Sequence, residues 1–276
     1  MYPKRELFRE SPLALVAVEI RFTDSARIRR QETIDTISTA LEDWLPFAHS
    51  IHEIGFQVLP GSTPASSPVA TAMPATTALV LTNTTSSESL TLAASSMVYE
   101  STDYTEFSVL LAAVERATAA LIAAGVRPAL KRIGLRYIDE VRVPDLIVDI
   151  RQWSEWIDHR LIDHLDIGPA HHLAQVTQGV TTYNLDGGRR LNFRFAALNQ
   201  GPVVAPKILH RRIPVESGPF FVLDFDGYQE FSDAIAVPLD PAVISTSLSA
   251  VHAPAGEAFQ NSITDKSRAL FRGVQR

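Results

Sequence analysis

The chain contains no cysteine. Disulfides, thiolate nucleophiles, iron–sulfur clusters and cysteine zinc sites are excluded together, and the absence suits a reducing compartment. Glycine is scarce, at 13 residues in 276. It is never arranged as GxxxxGK[ST] or GxGxxG, so the loops that cradle nucleotide phosphates are missing. There is no GxSxG nucleophile elbow, and Ser262 meets Lys266 one position too late for an SxxK pair. Long apolar runs are lacking as well. The longest uncharged stretch, residues 54–87, is broken by prolines and filled with Ser and Thr, whereas a spanning helix needs ~20 apolar residues. The N-terminus is charged and shows no apolar segment before a small-residue cleavage site, so the expected location is the cytoplasm. Basic residues number 25 against 31 acidic ones, a net charge of -6, which disfavours nucleic acid and anionic membrane as partners.

What is present is an ordinary folded composition, 46% hydrophobic and 20% charged, in a chain long enough for two lobes. Residues 14–22 alternate, with Val16, Val18, Ile20 and Phe22 on one side and Glu19 and Arg21 on the other, which predicts a half-buried strand. Ile34, Ile37, Leu41, Trp44 and Leu45 recur at helical spacing and predict a helix over residues 28–45, closed by Pro46. A short strand is expected at 55–59, then a mobile Pro/Ser/Thr/Ala loop at 60–78, then strands at 79–83 and 90–98. Phe107, Leu110, Leu111, Val114, Leu121 and Ile122 form the stripe of a second helix that stops at Gly125 and Pro128.

Residues 130–144 alternate again, with Leu135, Tyr137, Val141 and Val143 opposite Arg132, Arg136, Glu140 and Arg142. Pro144 then marks a boundary. A helix is expected at 150–162, followed by strands at 173–185, 190–198 and 220–228. Asp186-Gly187-Gly188 predicts a hairpin turn between the first two of these, because such residues tolerate positive φ. Residues 199–219 form a loop long enough to suggest a function or mobility. Asp240-Pro241 opens a terminal helix that Pro254 and Gly256 could kink or interrupt, and Thr264 can cap a last one. The expected fold is α+β, with two sheet-and-helix halves at 1–144 and 145–276. Their strands are mainly antiparallel and covered by helices, and a diverged duplication is one possible origin.

The candidate site is the polar side of these strands. Arg136, Glu140, Arg194, Asp224 and Asp226 all lie opposite apolar neighbours and define a mixed-charge sheet face if the strands share one sheet. That face can be a solvated field of cross-strand ion pairs, or a concave surface that binds a ligand or partner. His159, His164, His171 and His172 with Asp158, Asp163 and Asp166 invite a metal reading. The five-residue spacing of His159 and His164 spreads them ~140° around a helix, and adjacent His171 and His172 would point apart in a strand. A solvated helix end accounts for them, and no metal or other cofactor is implied. Asp224 and Asp226 could hold a hard cation, but pairing with Arg194 is the simpler fate. The basic run Lys207, His210, Arg211 and Arg212 reads as a solvated loop, and Trp153 and Trp156 read as core or subunit-interface residues.

Three stretches carry a resemblance: LALVAVEIRF near the start, RIGLRYIDEVRVP in the middle and VHAPAGEAFQNSITDKSRALF near the end. Together they resemble a sporadically distributed family of uncharacterised bacterial proteins of similar length. In that family an LRY-like strand precedes the second half, and a His…Phe…Ile-Thr-Asp pattern closes the chain. The resemblance implies a bacterial cytoplasmic protein, and a patchy distribution fits accessory loci such as defence modules. It assigns no catalytic residue. Three readings therefore stand. The first is a non-enzymatic protein that binds a protein segment or small ligand, in a homo-oligomer. The second is an enzyme using Arg136, Glu140, Arg194, Asp224 and Asp226 on a small polar substrate. The third is a structural or immunity-like subunit acting through apolar helices.

Overall fold

The computed structural model describes residues 6–51 and 78–273, except Ala170, Ile213, Glu216 and Asp233. The strand expected at 55–59 and nearly all of the loop expected at 60–78 lie outside the described residues. The elements in chain order are β1 (Leu13–Phe22), α1 (Gln31–Leu41), β2 (Phe47–Ile51), β3 (Ala78–Thr82), β4 (Glu88–Ala93), β5 (Ser96–Ser101) and α2 (Phe107–Ala123). They continue as β6 (Leu130–Val141), β7 (Thr177–Leu185), β8 (Arg189–Leu198), β9 (Phe220–Glu230), α3 (Pro241–Ser262) and α4 (Asp265–Phe271).

The nine described strands pair antiparallel into one sheet, in the order β2-β3-β4-β5-β1-β6-β9-β8-β7. The fold is α+β, as the alternating and helical patterns predict. Strands from both halves of the chain share this sheet, and β6 and β9 meet along a ladder from Arg132↔Glu230 to Val141↔Phe221. One face is apolar. Val18 and Ile20 of β1, Leu135 of β6, Leu223 of β9 and Leu191 of β8 are buried there with Ile37, Val114 and Leu248 from α1, α2 and α3. Each such side chain contributes ~1.5–3 kcal/mol when fully buried. Helix α3 comes closest to the sheet at Gly227, where a Cβ would stand 2.8 Å from Val251 Cβ. The absent side chain is what lets the helix sit down on β9.

Local signals place several ends as expected. Helix α2 closes with Gly125 N–H donating to Ile122 O and Val126 N–H to Leu121 O, both at 3.0 Å, the paired bonds of a Schellman stop. Asp240 accepts from Ala242 N–H at 2.7 Å with Pro241 at the first position of α3. Thr264 accepts from Ser267 N–H at 3.4 Å and caps α4. The β7–β8 turn runs through Asp186–Gly188, with φ of 71° at Gly187 and 73° at Gly188.

Other expectations are corrected. The segment at 150–162 is no α-helix but part of a run of short 3₁₀ turns, Ile150–Glu155, His159–Leu161 and Asp163–Ile167. Asp149 and Asp158 each cap the backbone two residues ahead, and Ile157 bridges to Ile263, so the chain restarts before a helix can propagate. The strand expected at 90–98 turns at Ala94 and Ser95 and becomes β4 and β5, its turn carbonyls accepting from Ser25 and Phe22 N–H. Helix α1 is shorter than the 28–45 span, and β2 follows Pro46 directly. Helix α3 runs unbroken through Pro254 and Gly256.

Candidate functional site

The face of the sheet opposite the helices carries the charged residues singled out in the sequence. Asp224 of β9 lies between Arg136 of β6 and Arg194 of β8. Arg136 donates from Nε and Nη2 to the two Asp224 oxygens, both at 2.7 Å, and Arg194 Nη1 reaches Oδ2 at 3.4 Å. Burial alone would depress the Arg136 pKa, but Asp224 and, more weakly, Asp226 raise it above the ordinary arginine value. The guanidinium stays charged.

Asp226 belongs to the same patch through Arg132, which bonds Asp226 Oδ1 at 3.1 Å and Glu19 Oε2 at 2.5 Å. The Arg132 guanidinium also lies over the Tyr228 ring, 4.6 Å from its centroid. It can lie flat because Gly134 leaves the strand bare: a Cβ there would meet Arg132 Nη1 at 2.4 Å. Arg21 completes the row by donating to Glu19 at 2.8 Å. The register that makes this possible puts Arg136 opposite Asp226, and Asp224 opposite Arg194. Four of the five residues singled out for the site, Arg136, Arg194, Asp224 and Asp226, are thus brought together.

Glu140 lies on the same face but in a different cluster. Its side chain has no exposed surface and is closed over by the 199–212 loop. Val203 and Val204 N–H both donate to Oε1 at 3.0 Å, Arg211 donates to Oε1 at 3.0 Å and Oε2 at 2.7 Å, and Arg142 donates to Oε2 at 3.2 Å. Burial would raise the Glu140 carboxyl, but these donors hold it below the ordinary glutamate range. The loop is fixed further by His210, whose N–H donates to Ser86 O at 2.6 Å and whose carbonyl accepts from Thr102 at 2.6 Å. Arg212 donates to Ser11 O at 2.8 Å. Three of the four residues of the supposed solvated basic run are therefore a strap that pins the loop, with Val203 and Val204 packed on Ala14, Ile138, Phe220 and Val222.

The histidine-rich segment divides among separate partners. His159 Nδ1 meets Asp163 at 2.7 Å and His164 Nε2 meets Thr177 at 2.7 Å. Among the described residues no group of three His, Asp or Glu is placed to hold a metal ion. Trp153 and Trp156 are buried in the core, as their pattern predicts. A depression of about 460 Å³ lies between the β7–β8 hairpin and α3, but its charged pair, Asp158 and Arg160, is bonded to itself at 2.6 and 3.1 Å.

A further polar group, outside the candidate site residues, lies on the helix side of the sheet. Tyr137 donates or accepts a hydrogen bond with His252 Nδ1 at 3.0 Å, Phe107 stacks on the His252 ring at 4.1 Å, and Asp139 is buried beside them. The available signal was an aspartate in phase with Tyr137 and Val141 on an otherwise apolar strand face.

The described fold and site define an α+β protein with a nine-stranded antiparallel sheet, helices on one face and a paired-charge lattice on the other. No protein-family model matches the chain, and no curated protein matches it either. Among the described residues, no helix is long and apolar enough to cross a membrane.

Proposed function

We propose that the protein is a binding protein, with the charged sheet face as its recognition surface and a carboxylate-bearing protein segment or small ligand as its target. The observation that carries this reading is Arg194. Its side chain is 41% exposed and touches Asp224 through one nitrogen at 3.4 Å, which leaves guanidinium edges turned outward on a rigid strand. Asp224 is buried beneath it and anchored by Arg136, so Arg194 is oriented before any partner arrives. The same pairing speaks against catalysis by these acids. A carboxylate whose lone pairs are taken by guanidinium groups supports a shape and is a poor proton carrier. The resemblance to a sporadically distributed bacterial family supports an accessory or defence-type setting for such a binder, and an assembly with itself is the other partner to consider.

Arg194→Glu tests the reading. Glutamate- and aspartate-rich peptides are titrated against the protein and the variant at low and moderate salt. The variant is expected to bind at least about tenfold more weakly, because one favourable charge contact becomes a repulsion. Equal affinity for both proteins would overturn the assignment. Turnover of a small polar substrate that Asp224→Asn abolishes would replace it with the enzymatic alternative.

A further inference from the structure

The sheet face turned toward α3 contains an acid that the lattice on the other face does not use. Asp139 lies two positions from Tyr137 on β6, shares its side of the strand, and is 4% exposed. It opens on a cavity of about 110 Å³ bounded by the N-terminal segment, the turn before α2, β6, β9 and α3. No described residue donates a hydrogen bond to its carboxyl, although burying such a group without a donor is costly. The walls are aromatic, with Phe8, Tyr104, Tyr137, Phe225 and Phe259 contributing rings. No lysine or arginine lines the cavity among the described residues. Glu6 at its rim is held by Arg272 through bonds of 2.5 and 2.8 Å, so among the described residues Asp139 is the lining acid with no cation beside it.

We propose that this cavity binds the head group of a small organic cation, an ammonium or guanidinium, with Asp139 as counter-ion and the surrounding rings as a cation–π cage. The space is smaller than the ~150 Å³ cavity that admits a benzene, so it suits a head group, not a whole drug-sized molecule. Leu7 and Thr105, both exposed, stand at the rim and leave an outlet for a tail. The site lies on the opposite face from Arg194 and does not depend on the function proposed for that face.

Burial raises the Asp139 carboxyl well above the ordinary range, and the Asp224 carboxylate behind it in the sheet adds to the rise. The other titratable groups lining the cavity among the described residues are Tyr137 on its own strand, His252 from α3, Tyr104 from the turn before α2 and Glu6 from the N-terminal segment. Burial therefore favours the protonated acid, and an arriving cation takes the place of that proton. Binding is accompanied by proton release and tightens as pH rises toward the Asp139 pKa.

The test uses choline, its uncharged carbon isostere and the carboxylate of the same shape, with calorimetry on the full chain in buffers of different ionisation enthalpy. Choline is expected to bind at least about tenfold more tightly than the neutral isostere, with release of a proton. Asp139→Asn is expected to lose that preference and the proton release, while Arg194→Glu retains both. Equal binding of choline and its isostere, or tighter binding of the carboxylate, would overturn the proposal. So would failure of choline, butylammonium and guanidinium all to bind. The isostere comparison needs only the unsubstituted protein, so the result stands even where the Asp139 variant misfolds.

Discussion

Two acids on β6, one residue apart, occupy opposite environments. Glu140 is surrounded by two arginines and two backbone N–H groups, whereas Asp139 has none of these and faces the aromatic cavity. Replacing Glu140 with Gln removes the buried negative charge to which Arg211 and Arg142 both donate. The expected loss is ~3–5 kcal/mol at neutral pH by urea unfolding, with faster amide exchange at Val203 and Val204. Because the folded-state pKa of Glu140 lies below the ordinary 4.5, its contribution is fully present above that value. It is lost as pH falls through the folded pKa, so parent and variant should converge in acid. Asp139 has the reverse sign. Its folded pKa is raised, so stability declines as pH climbs from the unfolded value through the folded one. Asp139→Asn should therefore unfold at a higher temperature than the parent, by a margin that grows with pH. Alternation alone gave the side of the strand on which each acid lies. It gave no indication that the 199–212 loop would fold back over Glu140, because a contact between Glu140 and Arg211 depends on where a distant loop travels.

At the scale of elements, the legible parts were those whose ends carry their own chemistry. Asp240-Pro241, Thr264, Gly125 and Asp186–Gly188 each satisfy or release specific backbone groups, and each ends or turns its element where the chain implied. The 150–162 segment misled because its apolar spacing is helical while Asp158 caps a new turn inside it and Ile157 bridges away to Ile263, and the two preferences conflict. The turn at Ala94 and Ser95 carries no glycine or proline and is made by tertiary bonds from Phe22 and Ser25, so nothing local announces it. Helix α3 offers the sharpest test of packing. Gly227→Ala places a methyl group where Val251 already stands 2.8 Å from the added atom, and should cost ~1–3 kcal/mol by forcing α3 off the sheet. Retention of full stability in thermal unfolding would mean that the helix rides loosely there. The site at Arg136, Arg194, Asp224 and Asp226 was legible for the same reason as β1. Period-two alternation fixes which side chains share a face, though only the β6-β9-β8 order brings those faces together.

For the molecule as a whole, the strand patterns implied antiparallel pairing, yet no pattern within a strand names its neighbours. The order β2-β3-β4-β5-β1-β6-β9-β8-β7 sets the two polar clusters on the same face of the sheet, and it also governs how the chain must assemble. The β4–β5 and β7–β8 pairs close over short turns, whereas β1 waits for β5 and β6, and β6 waits for β9 across the whole of residues 142–219. The centre of the sheet, which carries the Arg136–Asp224 bond, is thus made by partners far apart in the chain. Loop-closure entropy has to be met there before any ladder bond forms. Refolding from denaturant is expected in the range of ~milliseconds to seconds, with Phe225→Leu in β9 slowing the step more than Tyr183→Leu in β7. Stopped-flow fluorescence measures both, and a submillisecond phase that recovers the full signal would show that the rim pairs alone organise the sheet. The Arg136–Asp224 pair is complete only once β9 has been delivered, and a chain that stops short of β9 has no Asp224 to hold Arg136 and Arg194 together.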